Sequence, residues 1–288
     1  MRTPEEAFKS QSQPQQARPA QSGPAQAAAL TPNDQRALDA LRDQIGPVFG
    51  SQTLCMLLHV LALREKPSRV IELGTGLGVT TAWIAAAMAK NRDGRIVTID
   101  NGAMFPLKNE AFAAHFRQMF PEVEDHVGFM ERLAGSLSFG DRIEYINQDV
   151  DFSSPNGLLQ SLQVDKSAQY DWVFCDVIHG PEAVEACFAG FLAIAAPSFS
   201  LFIDSASTLT ESFLLAERMV DQLRRGKIPE VFNDFEDDEV RDRVRALAHS
   251  REFTIHHFTE QVDNAQNSTM LIKAFPVDAI PYPATFMR

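Results

Sequence analysis

The stretch "VIELGTGLGVTTAWIA", residues 70–85, decides how the chain is read. A β-branched apolar run ends at Glu72 and Leu73. Three glycines follow at alternate positions, Gly74, Gly76 and Gly78, and a helix-like run starts directly after them. Glycine admits positive φ and lets a ligand approach the backbone closely. A strand, a tight loop and a helix are therefore expected here, with the loop shaped to hold something. In an open parallel sheet, ligands bind past the carboxyl ends of the strands, where this loop would lie.

Outward from this stretch the pattern alternates. Strand-like runs are "RVIEL" (69–73), "RIVTI" (95–99), "RIEYI" (142–146), "DWVFC" (171–175), "SLFID" (200–204), "FTIHHF" (253–258) and "TMLIKAF" (269–275). Helical runs lie between most of them. "VTTAWIAAAMAK" follows the first strand and "TLTESFLLAERMVDQLRR" the fifth. "PEAVEACFAGFLAIAA" follows the fourth, with Pro197 expected to stop it. Alternating strands and helices imply an α/β fold, a Rossmann-like, doubly wound, mainly parallel sheet covered on both faces. The sixth and seventh strands lack a helix between them, so they are expected to pair antiparallel at an edge. The 101–141 segment carries two helical runs, "EAFAAHFRQMF" and "VEDHVGFMERLAG", and reads as an insertion. The acidic "NDFEDDEVRD" (233–242) reads as a solvated loop and helix start.

Residues 1–30, rich in Gln, Ala, Pro and Ser, bury too little to offset their ordering entropy and read as a disordered tail. The folded domain is expected over 31–288, starting with helices over 33–66 that Thr31 or Asn33 caps.

The bulk numbers narrow the function. The chain has 288 residues, 45% of them hydrophobic, and a net charge of −12. That charge argues against nucleic acid as a partner, because phosphate binding needs a basic face. Three cysteines (Cys55, Cys175, Cys187), without metal-site spacing, read as core residues in a reducing compartment. The longest apolar helical run, "TLCMLLHVLAL", falls short of the roughly 18 residues of a membrane span. A cytoplasmic location without a membrane partner is the expectation.

Three ligands compete for the glycine loop. A nucleoside triphosphate needs Gly-Lys-Ser/Thr after the loop, and no lysine follows Gly78 closely. A dinucleotide prefers Gly-x-Gly-x-x-Gly, and the spacing here is one residue shorter. Glu72 suits a cationic ammonium better than a pyrophosphate. "IELGTGLGVTTAWIA" followed by "GRIVTID" resembles motif I and the second-strand acid of class I S-adenosylmethionine-dependent methyltransferases. The resemblance implies that Glu72, Gly74, Thr75, Gly76, Gly78 and Thr80 bind S-adenosyl-L-methionine. It further implies that Asp100 takes the ribose hydroxyls and Asp149 meets the adenine. A dinucleotide fold also uses an acid at the place of Asp100, so that residue alone does not discriminate.

"YDWVFCDVIHGPEAV" resembles the fourth-strand motif of small-molecule O-methyltransferases, with Asp176 and His179 in its Asp-x-x-His pattern; "LFIDSAS" puts Asp204 at the end of the fifth strand. A hydroxyl acceptor needs a general base, a metal, or both. His179 is the candidate base, and Asp176 and Asp204 are candidate ligands for Mg2+. Metal-dependent relatives carry Asn or Asp right after the fifth-strand acid, where this chain has Ser205. Asp176 has a second candidate role at the cofactor's amino group. His256 and His257 read as structural. The expected activity is methyl transfer to an oxygen of a small-molecule acceptor, with a homodimer expected by family habit. The alternatives are an NAD(P)-dependent oxidoreductase and a non-catalytic cofactor-binding protein.

Overall fold

The computed structural model describes residues 52–103, 105, 121–177, 179–205, 209–262 and 265–277, together with Pro32, Arg36, Leu38 and Asp39. The tail over 1–30, the caps Thr31 and Asn33 and the first helical run of the insertion lie outside the described residues. In chain order the elements are α1 (Gln52–Glu65), β1 (Arg69–Leu73), α2 (Val79–Asn91), β2 (Arg95–Asp100), α3 (His126–Ser136), β3 (Ile143–Asn147) and α4 (Pro155–Ser161). Then come β4 (Tyr170–Cys175), α5 (Pro181–Leu192), β5 (Ala195–Asp204), α6 (Thr210–Arg224), α7 (Asp238–Ser250), β6 (Arg251–Val262) and β7 (Ala265–Pro276).

The strands form one seven-stranded sheet in the order β3-β2-β1-β4-β5-β7-β6. The first five run parallel, and β7 inserts antiparallel between β5 and the edge strand β6. Side chains alternate across a strand, and β1 shows what this does. Ile71 and Leu73 join the core formed with α4, α5, α6 and α7. Val70 joins the opposite core with α1, α2 and α3, and Glu72 shares its face. An acid thus points into a face otherwise built of apolar side chains.

Local signals set the helix ends. Asp125 caps α3 by accepting from Gly128 N–H, Ser154 caps α4 with Pro155 at the first position, and Asp237 caps α7. Such a cap contributes about 1 kcal/mol. The helix start in the acidic run is Asp238, and its negative charges suit a helix N-terminus. One expectation is corrected. The helix after β4 ends at Leu192, and Ala195 to Pro197 belong to β5. The sheet recruits these residues: Ile194 C=O accepts from Tyr170 N–H, and Ala195 pairs with Tyr170. Pro197 sits where the register shifts between Tyr170 and Trp172, a bulge that tolerates its missing N–H.

Glu65 ties α1 to the sheet. Its carboxylate accepts from Trp172 Nε1 at 3.0 Å and Ser200 Oγ at 3.2 Å and pairs with Lys273. Among the described residues no helix is long and apolar enough to cross a membrane.

Gly74 is the tightest joint in this frame. Its φ is +87°, and a Cβ built there would lie 2.3 Å from the Asp176 carbonyl oxygen. Gly74→Ala should therefore cost at least about 2 kcal/mol in denaturant unfolding, from strain and overpacking together. Gly135→Ala is the control. It lies in α3 with nothing within 4 Å of an added Cβ, so it should gain about 0.5–1 kcal/mol of stability. Equal effects would contradict the close-approach reading.

Candidate functional site

The β1–α2 loop is built from left-handed backbone. Gly74, Gly76 and Gly78 have φ of 87°, 52° and 71°. Gly74 N–H donates to Ile99 C=O at 2.9 Å, and Gly78 N–H to Thr75 C=O at 2.8 Å. Gly78 starts α2, and a Cβ there would meet Leu133 Cδ2 at 2.5 Å, so α3 packs directly on the loop.

Glu72 lies fully buried beneath this loop. The parallel register sets it opposite Thr98. Its Oε2 accepts from Thr98 Oγ1 at 2.6 Å and from the hydroxyl of Thr81 in the first turn of α2. Thr98 spends its one proton on Glu72, so Thr75, 2.6 Å away, donates to Thr98. Thr75 therefore turns inward, and what it offers a ligand is backbone. Oε1 of Glu72 is buried without a hydrogen-bond partner. Burial pushes the carboxyl up to about 8. The Thr81 and Thr98 hydrogen bonds oppose that rise, and the charges of Asp176 and Asp100 add to it. Thr80, also buried, carries a hydroxyl with no hydrogen bond among the described residues.

Asp100 closes the loop from β2. Its Oδ2 accepts from Gly76 N–H at 3.1 Å and its Oδ1 from Gly102 N–H at 2.8 Å. A carboxylate has about four acceptor positions, so two remain for hydroxyl donors. Asp149, exposed past β3, accepts from Asn101 Nδ2 at 2.6 Å, which brings the ends of β2 and β3 together.

The candidate reacting groups stand at the same sheet edge. Asp176 follows β4, and its N–H donates to Leu73 C=O at 2.9 Å. His179 Nε2 is 4.0 Å from Asp176 Oδ1, and His179 Nδ1 is buried without a partner. The His179 backbone is fixed by Ser212 of α6, whose hydroxyl donates to its carbonyl. Asp176 is raised by the low-dielectric crevice and then by the charge of Asp204. Its side chain keeps 40% of its surface exposed, so water limits that rise.

Asp204 is differently placed. Its Oδ1 accepts from Thr269 Oγ1 at 2.7 Å and its Oδ2 from Ser205 Oγ at 3.1 Å. Both oxygens are thus engaged within the protein, and Ser205 spends its hydroxyl there. Among the described residues no three His, Cys, Asp or Glu side chains are grouped to hold a metal ion. Asp176 and Asp204 therefore stand as two carboxylates without a third such ligand beside them among the described residues.

The sequence gives no sign of His126. This residue of α3 is 4% exposed. Its Nε2 lies 2.7 Å from Gly76 O and its Nδ1 2.8 Å from Tyr145 Oη. No spacing rule links it to a loop 50 residues earlier; only the sheet order does. The one legible hint is Asp125, a helix cap directly before it. A cavity of about 660 Å3 opens at the other end of the strands, lined by Arg69, Arg95, Arg142 and Tyr170, away from these groups.

The strand order, the glycine loop at β1 and the acid at β2 define the Rossmann-like architecture of class I methyltransferases. Residues 71–206 match a family described as a methyltransferase domain. Curated proteins return no match. Among solved structures, the chain is similar to the O-methyltransferase TomG from Streptomyces achromogenes, involved in tomaymycin synthesis and solved with SAM. The two are 20% identical over 84% of this chain and 89% of that chain, with a TM-score of 0.46. It is also similar to an O-methyltransferase from Bacillus cereus in complex with SAH, 18% identical over 85% and 93%, with a TM-score of 0.44. The fold rests on the strand order and not on these likenesses.

The buried acid makes stability pH-dependent. A carboxyl whose folded value is about 8 against an ordinary 4.5 binds more protons when folded across that window. Stability therefore falls as pH rises from about 4.5 to 8. The melting temperature of the ligand-free protein should decline over this range. Glu72→Gln, neutral throughout, should lose most of the slope, with Asp176 leaving a smaller remainder of the same sign. A slope unchanged in Glu72→Gln would refute the assignment.

Proposed function

We propose that this protein transfers the methyl group of S-adenosylmethionine to an oxygen of a small-molecule acceptor. The observation that carries the reading is Glu72, a buried carboxylate with an unpartnered Oε1, at the end of the strand that leads into three left-handed glycines, the middle one of which Asp100 holds by its N–H. These residues fit the cofactor. The glycines give close access to backbone. An ammonium would supply the donor that Oε1 lacks, and ribose hydroxyls would supply donors to the free positions of Asp100. A pyrophosphate would bring negative charge to a crevice already holding Glu72, Asp100, Asp176 and Asp204, which disfavours the dinucleotide alternative.

When bound, the cofactor supplies a sulfonium methyl, an electrophile with a good leaving group. The protein's part is to position the acceptor and take its proton. His179 is the base: its imidazole receives the hydroxyl proton, and Asp176, 4.0 Å away, stabilises the imidazolium that results. Ser212 holds the backbone from which the ring projects.

Calorimetric titration with S-adenosylhomocysteine and with NAD tests the cofactor. Micromolar binding of the former, weakened at least about tenfold in Asp100→Ala, is expected. Binding of NAD alone would replace this reading with an oxidoreductase. The base is tested with a panel of hydroxylated acceptors, following S-adenosylhomocysteine release. His179→Gln should lower kcat by about 10²–10⁴ and leave S-adenosylhomocysteine affinity unchanged. Full activity in that variant would remove His179 from the mechanism.

A further inference from the structure

Gly76 is held at both of its polar atoms. Its N–H goes to Asp100 Oδ2 and its C=O faces His126 Nε2 at 2.7 Å. A carbonyl only accepts, so Nε2 carries a hydrogen and donates it. Peptide bonds are planar and trans, so fixing the Gly76 carbonyl also fixes the direction of the next N–H, that of Leu77.

The ring is itself held on every side. Phe105 stacks on it at 5.5 Å and 18°, Phe129 lies at 6.3 Å and 13°, and Tyr145 meets it edge-on at 5.0 Å. Tyr145 Oη lies 2.8 Å from Nδ1 and 3.2 Å from Asp100 C=O, and it accepts from Asn147 Nδ2 at 3.2 Å. Burial, more than neighbouring charge, raises the phenol to about 12, so Tyr145 keeps its proton as a donor. Gly102 leans on the same ring, because a Cβ there would lie 3.1 Å from His126 Cβ. Asp100 Oδ1 is 4.0 Å from Nδ1. One imidazole from the insertion thus touches the loop after β1, the loop after β2 and the end of β3.

We propose that His126 is a positioning residue for cofactor binding. It locks the Gly76–Leu77 peptide while Asp100 holds the Thr75–Gly76 peptide on the other side of the same residue, so that the loop is aimed before any ligand arrives. The proposal rests on the methyltransferase reading for its ligand but not for its geometry, which exists in the free protein. Preorganisation of this kind raises affinity by removing an ordering cost.

Three variants separate the hydrogen bond from the packing. His126→Phe keeps a flat ring for Phe105 and Phe129 and removes both nitrogens. His126→Gln keeps a donor at the distance of Nε2. His126→Asn keeps an amide only at the distance of Nδ1. S-adenosylhomocysteine affinity should fall roughly tenfold in the Phe and Asn variants, the size of one lost buried hydrogen bond. It should stay within about threefold in His126→Gln. Amide hydrogen exchange in the ligand-free proteins reads the same lock without any cofactor. The Gly76 and Gly102 amides should exchange roughly tenfold faster in the Phe and Asn variants and at the wild-type rate in His126→Gln.

Exchange at these amides that is unchanged in His126→Phe would overturn the proposal. So would equal losses in the Gln and Phe variants, which would mark a packing role. If the wild type does not bind S-adenosylhomocysteine, the methyltransferase reading fails, and the exchange data still decide whether His126 holds the loop.

Discussion

A carboxylate fully removed from water in the middle of a parallel sheet is the constraint on which the rest depends. Glu72 can sit there only because Thr98 stands beside it on β2 and Thr81 reaches it from α2. Those two hydroxyls replace part of its lost hydration and fix β1, β2 and α2 relative to one another. Thr75 extends the chain of donors to the loop itself. A hydrocarbon at position 72 would pack the same face without binding the helix start to the strands. The loop above is held open by the same contacts, since Gly74 and Gly78 are already pressed against β4 and α3.

The electrostatics follow from this arrangement. Four acids end up around one sheet edge: Glu72 and Asp100 on the glycine side, Asp176 and Asp204 on the other. The charges of Asp176 and Asp100 oppose ionisation of Glu72, and that of Asp204 opposes ionisation of Asp176, so the crevice favours positive charge over negative. Two of the five unpartnered buried side-chain atoms among the described residues, Glu72 Oε1 and His179 Nδ1, belong to this edge. Buried polar groups are hydrogen-bonded in the great majority of cases. Two exceptions at one edge mark where the protein has kept hydrogen-bonding capacity in reserve.

Much of this was legible in the sequence, and the limits are physical. The strands could be read because β-branched runs alternate with helical ones. The glycine loop could be read because only glycine suits three left-handed positions in five residues. Glu72, Asp100, Asp176 and Asp204 were found because each ends or nearly ends a strand, and strand ends share an edge in a parallel sheet. What failed was long-range pairing. Position 195 looked helical because the run 186–196 is apolar and continues the helix before it, and tertiary pairing with Tyr170 decided otherwise. The short helix α4 carried no long periodicity to announce it. His126 and Thr269 act through partners 50 and 65 residues away, and neither distance follows from a local pattern. The engagement of Asp204 by Thr269 is one such long-range pairing.

The antiparallel pair at the end of the chain has a consequence for how the molecule is made. β6 and β7 pair with each other antiparallel, and of the two it is β7 that pairs with the parallel part of the sheet, along β5. β1 finds β2 nearby in the sequence, but its other flank needs β4, roughly a hundred residues later. During synthesis the parallel sheet must wait for non-local partners, a slow step by its topology, while the last strand to emerge is the one that covers β5. Until it docks, Asp204 lacks Thr269 and β5 offers a bare hydrogen-bonding edge. β7, which follows all of the parallel strands in the sequence, is therefore the segment that shields the nascent sheet from pairing with other chains.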